Sequence, residues 1–528
     1  MYNWAMELIM THGYLLGGSG SNVYVQNLCR ALVKEGHDVH LLCQEPDPLS
    51  YDFVNERYTA SGNGVEKLGE QETPYPGRCA VYGPEIGDLL PVYVYDDYPG
   101  WRVKVFLDLS DDEFAGYVTE NVAALRAVLE YSRATGAVTN HSMPGPEIAR
   151  RALSEAGIPY SSIVHGSCLQ YVVRKSEKYR EEARRGLVGA ASIVALSEHS
   201  AGTVAEDFPD LAGKTLSLPG GVDTDLFCPD AFDVAVTERL AGGPGRGPEQ
   251  ERRLREVLDG FSKGGNAEEL ARELKGVSAS YEPRRHDADA GERLRALMEG
   301  GDPLVVYVGK FIHSKGVHCL LQGFGRVHRE TGARLLLIGY GTFREALEAL
   351  TRALSDGDRR VLDLLAGNGR LFEGGPASPM EYFAFSEEVL REAAGMEEHV
   401  EFVGPLYHAE LARVLPAAGV AVVPSIFPET FGLVAAEAGA SGVPPFVADH
   451  SGLREAGAFV GRGLPFDVRV GLEGDFGENL AEAIIRYLRL PEEERRRCRD
   501  VVHRNSVEDL SWGALAGRIA ELAGGKEG

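Results

Sequence analysis

The stretch that most limits what this chain can fold into is Pro424 to Gly442, PSIFPETFGLVAAEAGASG. The apolar run Val420 to Val423 ahead of it reads as a buried strand, and Pro424 ends that strand. A loop follows, and an Ala-rich segment of helical composition begins near Thr430. Glu429 stands just before this helix and Glu437 about two turns inside it. A carboxylate at a strand-to-helix turn can accept sugar hydroxyls. The N–H groups of Thr430, Phe431, Gly432 and Leu433 can meet a phosphate, because a helix start carries roughly half a positive charge. Glu437 lies deeper, within reach of a ribose hydroxyl. The plain alternative is an ordinary strand–loop–helix unit with surface carboxylates.

The same strand–loop–helix alternation runs through both halves of the chain. Ala5 to Met10 reads as a buried strand, followed by the loop Gly17-Gly18-Ser19-Gly20 and a helix with Val25, Leu28 and Leu32 on one face. Gly17 and Gly18 allow backbone to approach a ligand at that helix start. This is not the G-x-G-x-x-G dinucleotide fingerprint, and a tight connection would use the same glycines. Residues 45 to 100 read as loops with a hairpin around Pro91 to Tyr95. Short strands then end at Asn140-His141 and at His165-Gly166. Ligands of open α/β sheets sit outside the carboxyl ends of the strands. His141 is therefore an acceptor-side candidate, with a partly exposed loop histidine as the alternative.

In the second half, Leu304 to Val308 reads as a central parallel strand that ends in Gly309-Lys310, with Lys315-Gly316 five residues on. Ala333 to Ile338, Val400 to Val403 and Val443 to Ala448 supply further strands. Two Asp-x-Asp pairs, Asp223/Asp225 and Asp287/Asp289, read as turn and surface residues rather than as metal ligands. Long charged segments, about 230–300 and 352–395, read as helical insertions. Lids, oligomer contacts and solvated decoration all remain open for them.

Together these elements resemble the retaining nucleotide-sugar glycosyltransferases of the GT-B fold that carry a Glu-x7-Glu motif (family 4 type, group 1), here Glu429 and Glu437. The resemblance implies an α/β protein with two Rossmann-like domains whose parallel sheets face across a cleft. It places an acceptor-side domain at 1–217, joined by a crossover helix at about 508–528, and a donor domain at 218–507. It implies that Lys310 and Lys315 neutralise the departing diphosphate, where arginine is commoner at position 310. Gly309, Thr430 to Leu433 and Glu437 would bind donor, with Gly17 and Gly18 beside the diphosphate or the acceptor. Glu429 would hold sugar hydroxyls, and His165 would sit beside the donor sugar and the leaving group.

The implied activity is transfer of a sugar from a nucleotide sugar, such as an NDP-glucose or NDP-mannose, to a hydroxyl acceptor. Configuration is retained, and no metal and no cofactor are needed beyond the nucleotide-sugar co-substrate. A nucleotide-sugar epimerase of the same fold and a non-catalytic sugar-nucleotide binder are the alternatives. The formal net charge of −25 argues against a nucleic-acid partner. The seven cysteines form no C-x-x-C, which suits a reducing cytoplasm. The N-terminal residues lack the pattern of a signal peptide, and no apolar run reaches the length of a membrane span. A homo-oligomer remains open.

Overall fold

The computed structural model describes residues 5–94, 98 and 100–525. The chain divides into two compact units, Met1–Gly221 with Leu510–Gly528, and Val222–Asp509. All seven cysteines are free thiols. Among the described residues, no helix is long and apolar enough to cross a membrane.

The first unit is built on strands β1 (Glu7–Thr11), β2 (Asp38–Leu42), β3 (Glu56–Ser61), β4 (Gly64–Glu70), β5 (Cys79–Pro84), β6 (Leu89–Val92), β7 (Arg102–Val105), β8 (Gly136–Asn140), β9 (Tyr160–Val164), β10 (Ser192–Ala195) and β11 (Thr215–Ser217). Nine of these form one sheet in the order β11-β10-β9-β8-β1-β2-β5-β3-β4. Every pairing in it is parallel except β3 with β4. Strands β8 and β9 are buried at every position, as expected of parallel strands covered on both faces.

Residues 45–100 depart from the expected loops. They contribute β3, β4 and β5 to the sheet, and β6 pairs in parallel with β7 rather than folding into a hairpin. Tyr95, at the end of that expected hairpin, lies outside the described residues. The strand signal is weak here for a physical reason. β4 is a sheet edge with most of its residues exposed and charges at Glu66, Lys67 and Glu70, which is how proteins protect an edge from pairing with another chain. Its partner β3 buries only Tyr58 and Ala60.

The terminal helix Trp512–Ala523 belongs to this unit. Ser161 Oγ donates to the Leu522 carbonyl at 2.8 Å. The Trp512 ring lies 4.9 Å edge-on from Tyr24, and Tyr24 lies 5.4 Å edge-on from His165. The end of the chain thus buttresses the ring that supports a candidate site residue.

The second unit is built on β12 (Leu304–Val308), β13 (Arg334–Ile338), β14 (Val400–Phe402), β15 (Val420–Val423), β16 (Pro445–Ala448) and β17 (Arg469–Val470), all parallel, in the order β14-β13-β12-β15-β16-β17. Pro445 is the first residue of β16, the strand position that tolerates a missing N–H.

The two insertions are helical and packed. Leu254, Leu258, Leu270, Leu274, Leu294 and Leu297 of the first are buried, as are Val361, Leu362 and Leu365 of the second. Asp287 corrects the reading of its Asp-x-Asp as surface residues, because only 2% of it is exposed. Its Oδ1 and Oδ2 accept hydrogen bonds from Nη1 and Nη2 of the buried Arg344 at 2.7 and 2.6 Å, and Oδ2 also accepts from Arg293 Nη2 at 2.6 Å. Burial alone would raise the Asp287 pKa, but the two guanidinium groups outweigh it and hold the carboxyl below its ordinary value. Asp223 closes an Asx turn, its Oδ1 accepting the N–H groups of Asp225 and Leu226 at 3.2 and 3.3 Å.

Candidate active site

In the second sheet the chain runs outward from β12 through β13 to β14, then returns to β15 and runs the other way through β16 and β17. The junction between β12 and β15 is a topological switch point, where loops from adjacent strands diverge and leave a crevice at the carboxyl ends. Two loops meet there: Gly309 to Gly316 after β12, and Pro424 to Gly432 after β15. Gly316 has φ 66°, and a Cβ on it would come within 2.0 Å of the Pro424 carbonyl oxygen. Only glycine allows that approach. The amides of Ile426 and Phe427 donate to the Ser314 carbonyl at 3.0 and 3.3 Å, which ties the loops together.

This junction brings Lys315 onto Glu429, whose Oε1 accepts from the ammonium group. Ser425 Oγ donates to the same oxygen at 2.6 Å. The Glu429 amide donates to Ser451 Oγ at 2.9 Å, and the Gly452 amide to the Glu429 carbonyl at 3.0 Å. His450 Nε2 donates to the Ser425 carbonyl at 2.6 Å. Burial pushes the Glu429 pKa up, but Lys315 and the hydrogen bond from Ser425 more than offset it, so the carboxylate stays ionised. With Lys315 and Ser425 both on Oε1, Oε2 is left to accept a hydroxyl. Lys315 retains two of its three N–H donors for an anion.

Lys310 is exposed, its Nζ 6.0 Å from the Tyr340 ring centroid, and its carbonyl accepts from Tyr307 at 2.9 Å. Gly309, Lys310 and Lys315 therefore share one loop. The helix begins at Leu433 rather than near Thr430. Thr430 and Phe431 stay in the loop and Gly432 caps the helix with φ 110°. Of the four amides expected at a helix start, only that of Leu433 belongs to the first turn. Phe431 is buried, with its ring centroid 6.3 Å from that of Phe459. Glu437 is consequently one turn into the helix rather than two. Its Oε1 lies 3.4 Å from His408 Nε2. Burial raises the Glu437 pKa, and His408 opposes the rise.

The first sheet has its own switch point, between β1 and β8. His12 follows β1, His141 follows β8, and His165 follows β9. The His141 ring centroid lies 5.8 Å from His12 and 4.7 Å from His165. His141 is not a partly exposed loop histidine. Its φ is 69°, 2% of it is exposed, and neither ring nitrogen has a hydrogen-bond partner. His165 is 6% exposed, and its Nε2 lies 3.1 Å from Asn140 Oδ1. Gly17 accepts from Asn22 Nδ2 at 2.6 Å, and Gly18 has φ 94° with open space where a Cβ would point. Ser19 then caps the helix Gly20–Lys34.

Burial lowers the pKa of all three histidines, to about 4 for His12 and about 3 for His165, while His141 lies well below its ordinary value. The unfolded chain takes up protons below pH ~6.5 that the folded protein refuses, so stability is present at neutral pH and is lost as pH falls towards 4. At pH 5 His12 and His165 should each cost about 2 kcal/mol. Urea midpoints should fall from pH 7 to pH 5 while the three imidazole resonances do not titrate. Imidazoles that titrate near pH 6.5 would contradict the neutral cluster.

Sequence reasoning missed His12, although it closes a strand as His141 and His165 do. It also missed His408, His450 and Ser451 as partners of the two glutamates, because those contacts join segments that are distant in the chain.

Two parallel α/β units, each with ligand-facing loops at a switch point, define the GT-B class of fold. Solved structures with this architecture include sucrose-phosphate synthase from Thermosynechococcus elongatus (TM-score 0.56, 19% identity, 98% of each chain covered). The catalytic domain of starch synthase IV from Arabidopsis thaliana also aligns (TM-score 0.56, 14% identity, 98% of this chain and 99% of that one). An Anabaena protein crystallised with UDP and glucose aligns with TM-score 0.52 and 12% identity over 98% of each chain. The family model for Glycosyltransferase Family 4 matches residues 18–226, and that for Glycosyl transferases group 1 matches residues 381–501. By these two matches, one in each unit, the chain is similar to the group 1 glycosyltransferases of the GT-B fold.

Among curated relatives, a D-inositol 3-phosphate glycosyltransferase of Corynebacterium glutamicum is 34% identical over 167 residues, 32% of this chain and 36% of that protein. A glycogen synthase of Mycobacterium tuberculosis is 28% identical over 226 residues, 42% of each. These matches span well under half of the relatives' own lengths.

Proposed function

We propose that this protein is a retaining glycosyltransferase that moves a sugar from a nucleotide sugar, an NDP-glucose or NDP-mannose type of donor, to a hydroxyl acceptor without a metal ion. The observation that carries the reading is the contact of Lys315 with Glu429 at the switch point of the second sheet, with Lys310 on the same loop.

A breaking sugar–phosphate bond leaves negative charge on the diphosphate. Cations already in place stabilise that charge without reorganising. In this reading Lys315 and Lys310 meet the phosphates, and the Leu433 amide adds a helix-terminal donor. Glu429 offers Oε2 to a sugar hydroxyl, and Glu437 takes the ribose. The UDP and glucose held by the Anabaena protein and the ADP held by the Arabidopsis domain, both of the same fold, suit a nucleoside diphosphate sugar as donor and leave the base unassigned. Retention follows by family analogy through front-face attack, in which the leaving phosphate takes the acceptor proton. His165 positions the sugar. A cytoplasmic location suits a soluble donor of this kind.

Incubation with a panel of nucleotide sugars, followed by mass analysis, tests the reading. Free nucleoside diphosphate together with a glycosylated product supports transfer. An epimerised donor, or binding with no turnover, would replace it with one of the two alternatives. Activity should persist in EDTA. Loss of activity that only a divalent ion restores would contradict the metal-free mechanism.

A further inference from the structure

The turn His313–Lys315 ends on the cation that meets Glu429, and its own sequence supplies no cap. The residue before it, Ile312, is apolar and offers the first amide of the turn no acceptor. That amide, on His313, instead donates to Glu373 Oε1 at 2.7 Å. Glu373 lies 60 positions further along the chain, in the second insertion, and closes the 3-10 turn Gly369–Glu373.

Further contacts lay the insertion along the same stretch. The helix Val317–Thr331 begins directly after the loop. Its His318 donates from Nε2 to the Glu381 carbonyl at 2.9 Å, and one turn later the Ala384 amide donates to Gln322 Oε1 at 3.0 Å. His313 is 2% exposed, and its ring stacks on that of His318 with 4.7 Å between centroids. The backbone of Gly369 lies close against both: a Cβ there would come within 2.7 Å of Met380 Cγ and 3.2 Å of His313 Cδ2. Residues 369–384 thus strap the turn and the start of the helix from one side. The amides of Ile426 and Phe427, donating to the Ser314 carbonyl, hold the turn from the other. Glu373 is half-buried, and burial raises its pKa against the opposing pull of the His313 amide and of Arg370. Taking a carboxylate out of water costs free energy that a partner must offset. A decoration that only covered the surface would leave that carboxylate in water, whereas this one is spent on an amide two residues from Lys315.

We infer that Glu373 is a positioning residue for sugar transfer: by accepting the His313 amide it fixes the turn that carries Lys315, and so the place of the ammonium group that meets the leaving diphosphate. What Lys315 does there rests on the proposed function, while the clamp on its turn rests on the contacts above. Without the clamp the turn is tied on one side only. A misplacement of about 1 Å in a catalytic group can cost about 100-fold in rate.

A double-mutant cycle on the full chain tests the assignment. Glu373→Ala should lower kcat about 10- to 100-fold, with a smaller change in donor KM. Glu373→Gln, which keeps an acceptor oxygen for the amide, should retain most of the turnover. In the Lys315→Ala background the positioned group is gone, so adding Glu373→Ala should lower kcat by no more than about twofold. Hydrogen exchange across residues 309–316, read without nucleotide, should be faster in Glu373→Ala and unchanged in Glu373→Gln. Equal fold-losses with and without Lys315, turnover or exchange in Glu373→Ala like that of the original protein, or a Glu373→Gln protein as slow as Glu373→Ala would overturn the inference. Should Glu373→Ala fail to fold, Glu373→Asp, which keeps the charge and draws the oxygen back by a methylene, takes its place in the cycle. An unaltered protein that turns over no nucleotide sugar sinks the proposed function, and the exchange data then decide the clamp by themselves. Turnover with additive losses sinks this inference and leaves the proposed function standing.

Discussion

Lys315→Ala is expected to lower kcat about 100- to 1000-fold while leaving the unfolding free energy within about 1 kcal/mol of the original protein. The two magnitudes come from different physics. Removing one preorganised donor from a developing charge costs about 2.7–4 kcal/mol of transition-state stabilisation. The ground-state pair it forms with Glu429 is partly exposed, with the two side chains 28% and 23% accessible, and such pairs contribute little to stability. Steady-state turnover with the donor identified by the panel, alongside urea unfolding of both proteins, checks the contrast. Equal turnover in the two proteins would remove Lys315 from the mechanism. A stability loss of several kcal/mol would mean that its role is structural.

Asp287→Ala should destabilise the second unit by about 3–5 kcal/mol, the largest stability effect expected of any residue discussed above. The substitution takes the bidentate carboxylate from Arg344, which is 2% exposed and keeps the pairing of its Nε with Glu348, and it strips Arg293 of one of its partners. Asp289→Ala, two residues away, should cost no more than about 1 kcal/mol, since the Asp289 side chain is 31% accessible and pairs with Arg293. Replacing Asp287 and Arg344 together by apolar residues of similar size should recover much of the loss, because Glu348 then keeps Arg246, and Arg293 keeps Asp289 and Glu401. Urea denaturation of the three variants reads all of this. Similar behaviour of Asp287→Ala and Asp289→Ala would contradict the buried network.

The Asp-x-Asp comparison shows where local reading stops. Asp287 and Asp289 look alike in the chain, both in a polar, charged stretch. One is buried because Arg344, 57 positions away, reaches it, and nothing in the sequence near Asp287 announces that. The edge strand β4 shows a different limit, because solvent-facing charges hide a strand whose backbone still pairs. His12 shows a third. Its place at the end of a strand was readable, but its neutral state comes from burial beside His141, which a remote strand supplies.

Outside residues 45–100, local pattern was sufficient for the order of the sheet strands, because burial on both faces demands continuous apolar runs. It also put Gly309 and Lys310 at the end of a strand and Lys315, Gly316 and Glu429 in the loops beyond strands, on the side of such sheets where ligands bind. It could not say which strands become neighbours. Placing β15 beside β12, with more than a hundred residues of chain between them, is what brings Lys315 to Glu429. The same is true of β8 beside β1, which stacks His141 over His12. Parallel pairing is a choice made by packing between remote segments. The charge pair and the neutral histidine cluster therefore exist only once both sheets have closed around their switch points.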